Sequence, residues 1–250
     1  MKRISIITAA YNAAKFIKEA SDSYLGQELP DGWELEMLIG VDGCPETLKA
    51  IMEQELLKDT RLTVFEMDKN YGTYITSNTL ITKATGDLIA RADADDIMQP
   101  TRLLKIIQEF ENNPDAIAVN TWCEYRDETL QKITALTKYA PDGVYVYRAD
   151  TLKELGGFQP WLCGADSELL GRVRMIWPKG LRIIPECLYS IRSHQSQLTV
   201  NSLTRSGSDA RKYAVEQIAL NLIGYRNKTL NPRLTIATGN ILRSYRGVVV

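Results

Sequence analysis

Four times within the first 115 residues, a short apolar run rich in β-branched side chains gives way to a polar turn and then to apolar residues at helical spacing. Residues 3–8 lead through Ala9-Ala10-Tyr11-Asn12 into a helix marked by Phe16, Ala20, Tyr24 and Leu25, which Asn12 is placed to cap. Residues 35–41 stop at Asp42-Gly43-Cys44-Pro45 before a helix over 46–57. Residues 61–66 lead through Asn70-Tyr71-Gly72 to a helix with Ile75, Leu80 and Ile81 as its apolar positions. Set off by Gly86, Leu88-Ile89-Ala90 runs into Asp93, Asp95 and Asp96, and beyond Pro100 a helix covers 101–112. Such alternation predicts an α/β fold built on a doubly wound, mainly parallel sheet, with ligands bound beyond the carboxyl ends of the strands. Tyr11, Asp42, Asn70 and the acid cluster all fall at those ends.

Three carboxylates within four positions repel one another, and they are held together most simply by a cation among them. A hard divalent ion such as Mg²⁺, bound by one or two carboxylates and by substrate phosphates, fits the pattern. The alternative is a solvated turn, with Asp96 facing the positive end of the helix that starts near Pro100. The first turn, residues 8–12, has no Gly-x-Gly-x-x-Gly, and no Gly-Lys-Ser/Thr occurs in the chain, which excludes a dinucleotide fingerprint and a P-loop.

The texture changes after Asn113-Pro114-Asp115. Strands are expected over 116–122, 129–137 and 144–147 in a smaller mixed sheet, then a short helix over 148–155 and the turn Gly156-Gly157-Phe158. A loop, Trp161-Leu162-Cys163-Gly164, precedes a helix opened by Ala165-Asp166-Ser167-Glu168. The last strands expected, 181–184 and 188–192, run into Ser193-His194-Gln195-Ser196-Gln197-Leu198-Thr199, which holds the only histidine. Residues 204–225 form an amphipathic helix with Tyr213, Ile218, Leu222 and Ile223 as inward positions, followed by a basic end with Arg233, Arg243 and Arg246. The division expected is a catalytic domain over 1–200, with a nucleotide-binding half to 115 and an acceptor half from 116, and a helical extension over 201–250.

A formal charge of −1 on 250 residues leaves no basic field for gripping nucleic acid. Cys44, Cys123, Cys163 and Cys187 form no Cys-x-x-Cys pair, so neither a zinc site nor a disulfide framework is signalled. No apolar run approaches the roughly 20 residues of a membrane span, and the first residues do not resemble a signal peptide. The expectation is a cytoplasmic protein whose membrane contact, if any, is peripheral.

Ile-Ile-Thr-Ala-Ala-Tyr-Asn, Val-Asp-Gly, Asn-Tyr-Gly, Ala-Thr-Gly-Asp, the Asp-x-Asp-Asp cluster with Pro100 and Arg102-Leu103 behind it, Leu-Gly-Gly-Phe, Ala-Asp-Ser-Glu-Leu and Arg-Ser-His follow one another in order. In order and spacing the chain resembles the inverting family-2 glycosyltransferases of the GT-A fold, from about residue 3 to about residue 199. The resemblance implies a metal-dependent transfer of a sugar from a nucleotide-sugar donor, most simply a UDP-sugar, to a glycan or lipid-linked acceptor in surface-polysaccharide assembly. It places Thr8, Tyr11, Asp42, Asn70 and Asp93 at the nucleoside, with Tyr11 stacking on the base, Asp42 accepting a base N–H and Asp93 bonding the ribose. It makes Asp95 a ligand to Mn²⁺ or Mg²⁺, His194 a second contact to the metal or diphosphate, and Arg192 a support for the diphosphate.

Asp166 is implied as catalytic base. The family's usual Glu-Asp is Ala165-Asp166 here, which makes Glu168 a rival. Each position also has a plainer role open to it: Tyr11 as a rim aromatic, Asp42 as a turn residue, His194 and Arg192 at a strand end, and Trp161 either stacking on sugar or packing in the core. A sugar nucleotidyltransferase and a non-catalytic scaffold are the alternatives. The first typically carries a Gly-rich basic first loop, which residues 8–12 lack.

Overall fold

The computed structural model describes residues 1–195, 197, 200 and 202–247; Ser196, Leu198 and Thr199 of the histidine loop lie outside the described residues. The centre of the sheet is β1 (Lys2–Ala10), apolar on both faces. Successive side chains of a strand point to opposite faces, so Ile4 and Ile6 enter one core and Ile7 the other. The first core lies under α1 (Ile17–Leu25), α2 (Pro45–Glu53) and α4 (Arg102–Asn112), and the second under α3 (Thr73–Lys83), α5 (Ala149–Glu154) and α6 (Ala165–Ile176).

With β2 (Trp33–Val41), β3 (Leu62–Met67) and β4 (Leu88–Arg91), β1 makes the parallel array β3-β2-β1-β4. The sheet turns mixed beyond β4, where β8 (Val146–Arg148) pairs antiparallel with β4 and with β6 (Ala118–Arg126). Next to β6 runs β9 (Leu181–Arg192), parallel to it, with β5 (Ile97–Met98) on the far edge and β7 (Ile133–Leu136) as a hairpin partner of β6. The two strands expected over 181–192 are thus one. Its register skips from Ile184 to Cys187, because Pro185 has no N–H for the ladder and is accommodated in a bulge.

Three local expectations are corrected. Asn12 does not cap α1: it adopts a left-handed φ of 53°, and the helix begins five residues later behind Phe16. The second helix stops at Glu53, and residues 56–58 form a separate 3-10 turn. The late amphipathic helix is α7 (Asp209–Arg226), and its inward stripe is Ala214, Ile218, Leu222 and Tyr225 at i, i+4, i+8 and i+11, leaving Tyr213 and Ile223 exposed.

Beyond α7 the chain crosses back over the second core, where Leu234 N–H donates to Leu155 O and Gly239 N–H to Thr79 Oγ1. It ends in β10 (Ile241–Arg246), antiparallel on β3. The extension is therefore a helix, a strap and an edge strand; Ile-Leu-Arg-Ser-Tyr-Arg, short and arginine-rich, has the composition that edge strands tolerate. Among the described residues no helix is long and apolar enough to cross a membrane.

Candidate active site

The carboxyl ends of β1, β2 and β4 converge. At the end of β1, Thr8 is sealed inside the sheet, its hydroxyl without a hydrogen-bond partner among the described residues, so it shapes the floor and offers a ligand no side chain. Tyr11, just past the strand, is 52% exposed and free to lie against a planar ring.

Asp42, expected to accept a base N–H, is 2% exposed. Its Oδ1 accepts from Tyr71 N–H (2.8 Å) and the Thr76 hydroxyl (2.7 Å), and its Oδ2 from Gly72 N–H (2.9 Å). The carboxylate braces the 70–72 loop, and Asn70 adds an Asx turn through Oδ1 to Gly72 N–H (3.0 Å). The brace works because Gly43, at φ 63°, lets the two loops touch: a Cβ there would lie 2.4 Å from Asn70 N.

The three acids after β4 go to three different partners, not to one common point. Asp93 Oδ1 accepts from Arg91 Nη2 at 2.7 Å. Asp95 Oδ2 lies 2.7 Å from His194 Nε2, whose ring rests against Phe16 with centroids 4.6 Å apart. Asp96 turns inward, buried, and accepts Arg192 N–H at 2.9 Å. Burial pushes the Asp96 carboxyl well above its ordinary range, and the charges of Asp95 and Asp93 push the same way. Asp93 is also raised by burial and by Asp95 and Asp166, against the pull of Arg91.

The loop itself is clamped: the Tyr24 hydroxyl donates to Asp93 O (2.5 Å) and Asp96 O (3.0 Å), and Arg192 Nε to Asp95 O (2.7 Å). Arg192 gives its other donors to Glu128 O and Glu19 Oε2, both at 2.6 Å, and stacks on Phe16. Three of its five N–H donors are thus engaged in holding the loop. Among the described residues no three His, Cys, Asp or Glu side chains gather around one point. Asp95 and His194 nevertheless form a carboxylate–imidazole pair from two elements, a donor set that suits a borderline ion such as Mn²⁺ whose other positions are taken by diphosphate and water.

Asp166 stands in the first turn of α6, half-buried. Its Oδ1 accepts from the Tyr74 hydroxyl and from Ser167 N–H, both at 3.0 Å. Ser167 in turn donates its hydroxyl to Asp142 Oδ2 at 2.7 Å. Glu168 has a different fate: fully buried, it takes Arg172 Nε on Oε2 (2.9 Å) and the Tyr225 hydroxyl on Oε1 (2.8 Å). Arg172 continues to Leu155 O and Gly157 O, both at 2.6 Å, so the pair fastens α6 to the Gly-Gly turn and to α7. Trp161 is half-buried against the second core, and Leu162 beside it is exposed.

Arg91 joins the two halves, and no sequence signal marked it beyond a lone basic residue in an apolar run. Its Nη2 donates to Asp93 and to Thr73 Oγ1 (3.1 Å), its Nη1 to Gly143 O, and its guanidinium lies 5.9 Å from the Tyr74 ring centre. Asp93 and Asp166 thus flank one buried cation, with the Asp95–His194 pair beyond Asp93.

Residues 5–163 match the profile described as Glycosyl transferase family 2. An uncharacterised glycosyltransferase of Methanocaldococcus jannaschii is 33% identical over 128 residues, 50% of this chain and 43% of the relative. A putative teichuronic acid biosynthesis glycosyltransferase of Bacillus subtilis is 31% identical over 106 residues, 42% of this chain and 40% of the relative. The chain therefore spans less than half the length of these relatives. Among solved structures, TarS 1–349 of S. aureus in complex with UDP-GlcNAc superposes with a TM-score of 0.64 at 16% identity, covering 91% of this chain and 73% of that one. The mannosyltransferase PcManGT of Pyrobaculum calidifontis, in complex with GDP-Man and Mn²⁺, gives a TM-score of 0.64 at 19% identity, covering 92% and 65%. With the family profile spanning more than half its length and a sheet that matches these folds, the chain belongs to glycosyl transferase family 2 and has the GT-A fold.

Proposed function

We propose that the protein is a metal-dependent, inverting glycosyltransferase that moves a sugar from a UDP-sugar to a hydroxyl of a glycan or lipid-linked acceptor in surface-polysaccharide assembly. The observation that carries the mechanism is the contrast between the two acids of α6: Glu168 is fully buried in an ion pair, while half-buried Asp166 keeps Oδ2 without a hydrogen bond among the described residues. One carboxylate suffices for direct displacement, which needs a base and no covalent intermediate. The acceptor oxygen attacks the anomeric carbon from the face opposite the nucleoside diphosphate, its proton passes to Asp166, and the bond to the diphosphate oxygen breaks.

On the donor side, Tyr11 is available to stack on the base and Asp93 to bond the ribose, while Asp42 acts by holding the 70–72 loop. Asp95 and His194 would hold a divalent cation, whose charge would offset that of the departing diphosphate. UDP as donor nucleotide rests on the TarS likeness, and the acceptor class on the teichuronic acid relative.

Calorimetric titration of UDP, with GDP and CMP as controls, in Mn²⁺ and then in excess chelator, on wild type, Asp95→Asn and His194→Ala, tests this. UDP binding that needs the metal and falls about tenfold or more in both variants is expected, since loss of a metal contact typically costs that much. Metal-independent binding refutes the cation site, and no nucleotide binding under any condition favours the non-catalytic scaffold. Product analysis for a glycoside of inverted configuration plus UDP tests the displacement itself.

A further inference from the structure

Tyr74 is buried, 6% exposed, in the first turn of α3, its ring packed on Phe158 with centroids 5.5 Å apart and lying beside the Arg91 guanidinium. A buried phenol needs a hydrogen-bond partner, and the one recorded for it is Asp166 Oδ1 at 3.0 Å. Burial and the nearby Asp166 charge push the Tyr74 hydroxyl well above its ordinary range, which keeps it a donor.

Ser167 N–H donates to the same oxygen, so Oδ1 carries two donors while Oδ2 accepts no hydrogen bond among the described residues. Oδ2 faces Gly143. A Cβ at that position would lie 3.3 Å from Oδ2 and 2.8 Å from Arg91 Nη1, so the missing side chain leaves the approach to Oδ2 open.

We propose that Tyr74 is a positioning residue for the transfer reaction: it holds Asp166 by Oδ1 so that Oδ2 is the oxygen that receives the acceptor's proton. The inference rests on Asp166 being the base. The tether is independent of the donor nucleotide, because Tyr74 has no hydrogen bond to Asp93, Asp95 or the 70–72 loop among the described residues. Tyr74 also ties α3, which begins directly behind the nucleotide-facing loop, to α6, which carries the base. A carboxylate held by Ser167 N–H alone spends less time with Oδ2 toward the acceptor, and misplacement of about 1 Å costs up to about 10²-fold in rate.

The test compares Tyr74→Phe, Asp166→Asn and the double variant in steady-state transfer, together with UDP affinity in Mn²⁺. Phe keeps the ring against Phe158 and Arg91 and deletes only the hydroxyl. The expected result is a fall in kcat of about 10- to 100-fold with donor KM and UDP affinity unchanged, and a double variant no slower than Asp166→Asn alone, since a residue that acts through another adds nothing once that other is gone. Tyr74→Phe at wild-type kcat overturns the inference while leaving Asp166 as base. So does a double variant slower than Asp166→Asn, which gives Tyr74 a role of its own. Full turnover in Asp166→Asn removes the base assignment, and the inference with it.

Discussion

Replacing Glu168 by Gln separates structure from catalysis at the most ambiguous position of the chain. Its carboxylate is fully buried and accepts two hydrogen bonds, from Arg172 Nε at 2.9 Å and from the Tyr225 hydroxyl at 2.8 Å. A glutamine of the same shape keeps a carbonyl oxygen for Arg172, and its amide can donate to the Tyr225 hydroxyl once that hydroxyl turns to accept, so both bonds survive but neither has a charged acceptor. Turning the charge-assisted bonds into neutral ones costs about 1 kcal/mol. Arg172 also loses its counter-charge, and breaking a buried pair typically costs about 3–5 kcal/mol. The low end applies, because Leu155 O and Gly157 O still receive the guanidinium.

A loss of about 3 kcal/mol lowers Tm by about 6–12 °C in a chain of this size. Thermal and urea unfolding would read it, and transfer assayed well below the new midpoint should retain turnover within a few-fold. Wild-type stability with turnover reduced by two or more orders of magnitude would refute the reasoning, because Glu168 would then be the base and the buried clasp irrelevant.

Asp166→Asn keeps an oxygen for Tyr74 and Ser167 N–H, so Tm should change little while turnover falls by about 10²–10⁴ and UDP still binds; stopped-assay rates beside calorimetry check this. Asp42→Asn removes one of the two charged oxygens that brace the 70–72 loop and should weaken UDP, GDP and CMP by similar factors, at a stability cost of about 1–3 kcal/mol. A loss confined to UDP would instead return Asp42 to direct contact with the base.

The alternation in the first 115 residues was enough to place the parallel sheet and to put Asp42 and the acid cluster at element ends, because period and turn chemistry are local properties of a chain. What escaped was set by distant partners. Nothing within ten residues of Asp42 announces that Tyr71, Gly72 and Thr76 will take both its oxygens, and nothing beside Glu168 points to Tyr225. β10 escaped for a related reason: an edge strand that pairs with a partner over 170 residues earlier carries little apolar period of its own.

The acid cluster shows the consequence most directly. Like-charge repulsion argued for one cation among three carboxylates, yet the fold brings Arg91 to Asp93, His194 to Asp95 and the Arg192 backbone to Asp96. Two of those partners arrive from β9 and the loop after it, roughly a hundred residues downstream. With Asp93 neutralised by Arg91 and Asp96 buried, the charge left for an ion is that of Asp95 with one imidazole beside it. On the proposed function, such a two-ligand site would bind a divalent ion weakly by itself and well when a diphosphate completes the shell, because the missing ligands then arrive with the substrate. Metal and nucleotide should accordingly bind with positive, reciprocal coupling, each tightening the other by the same factor.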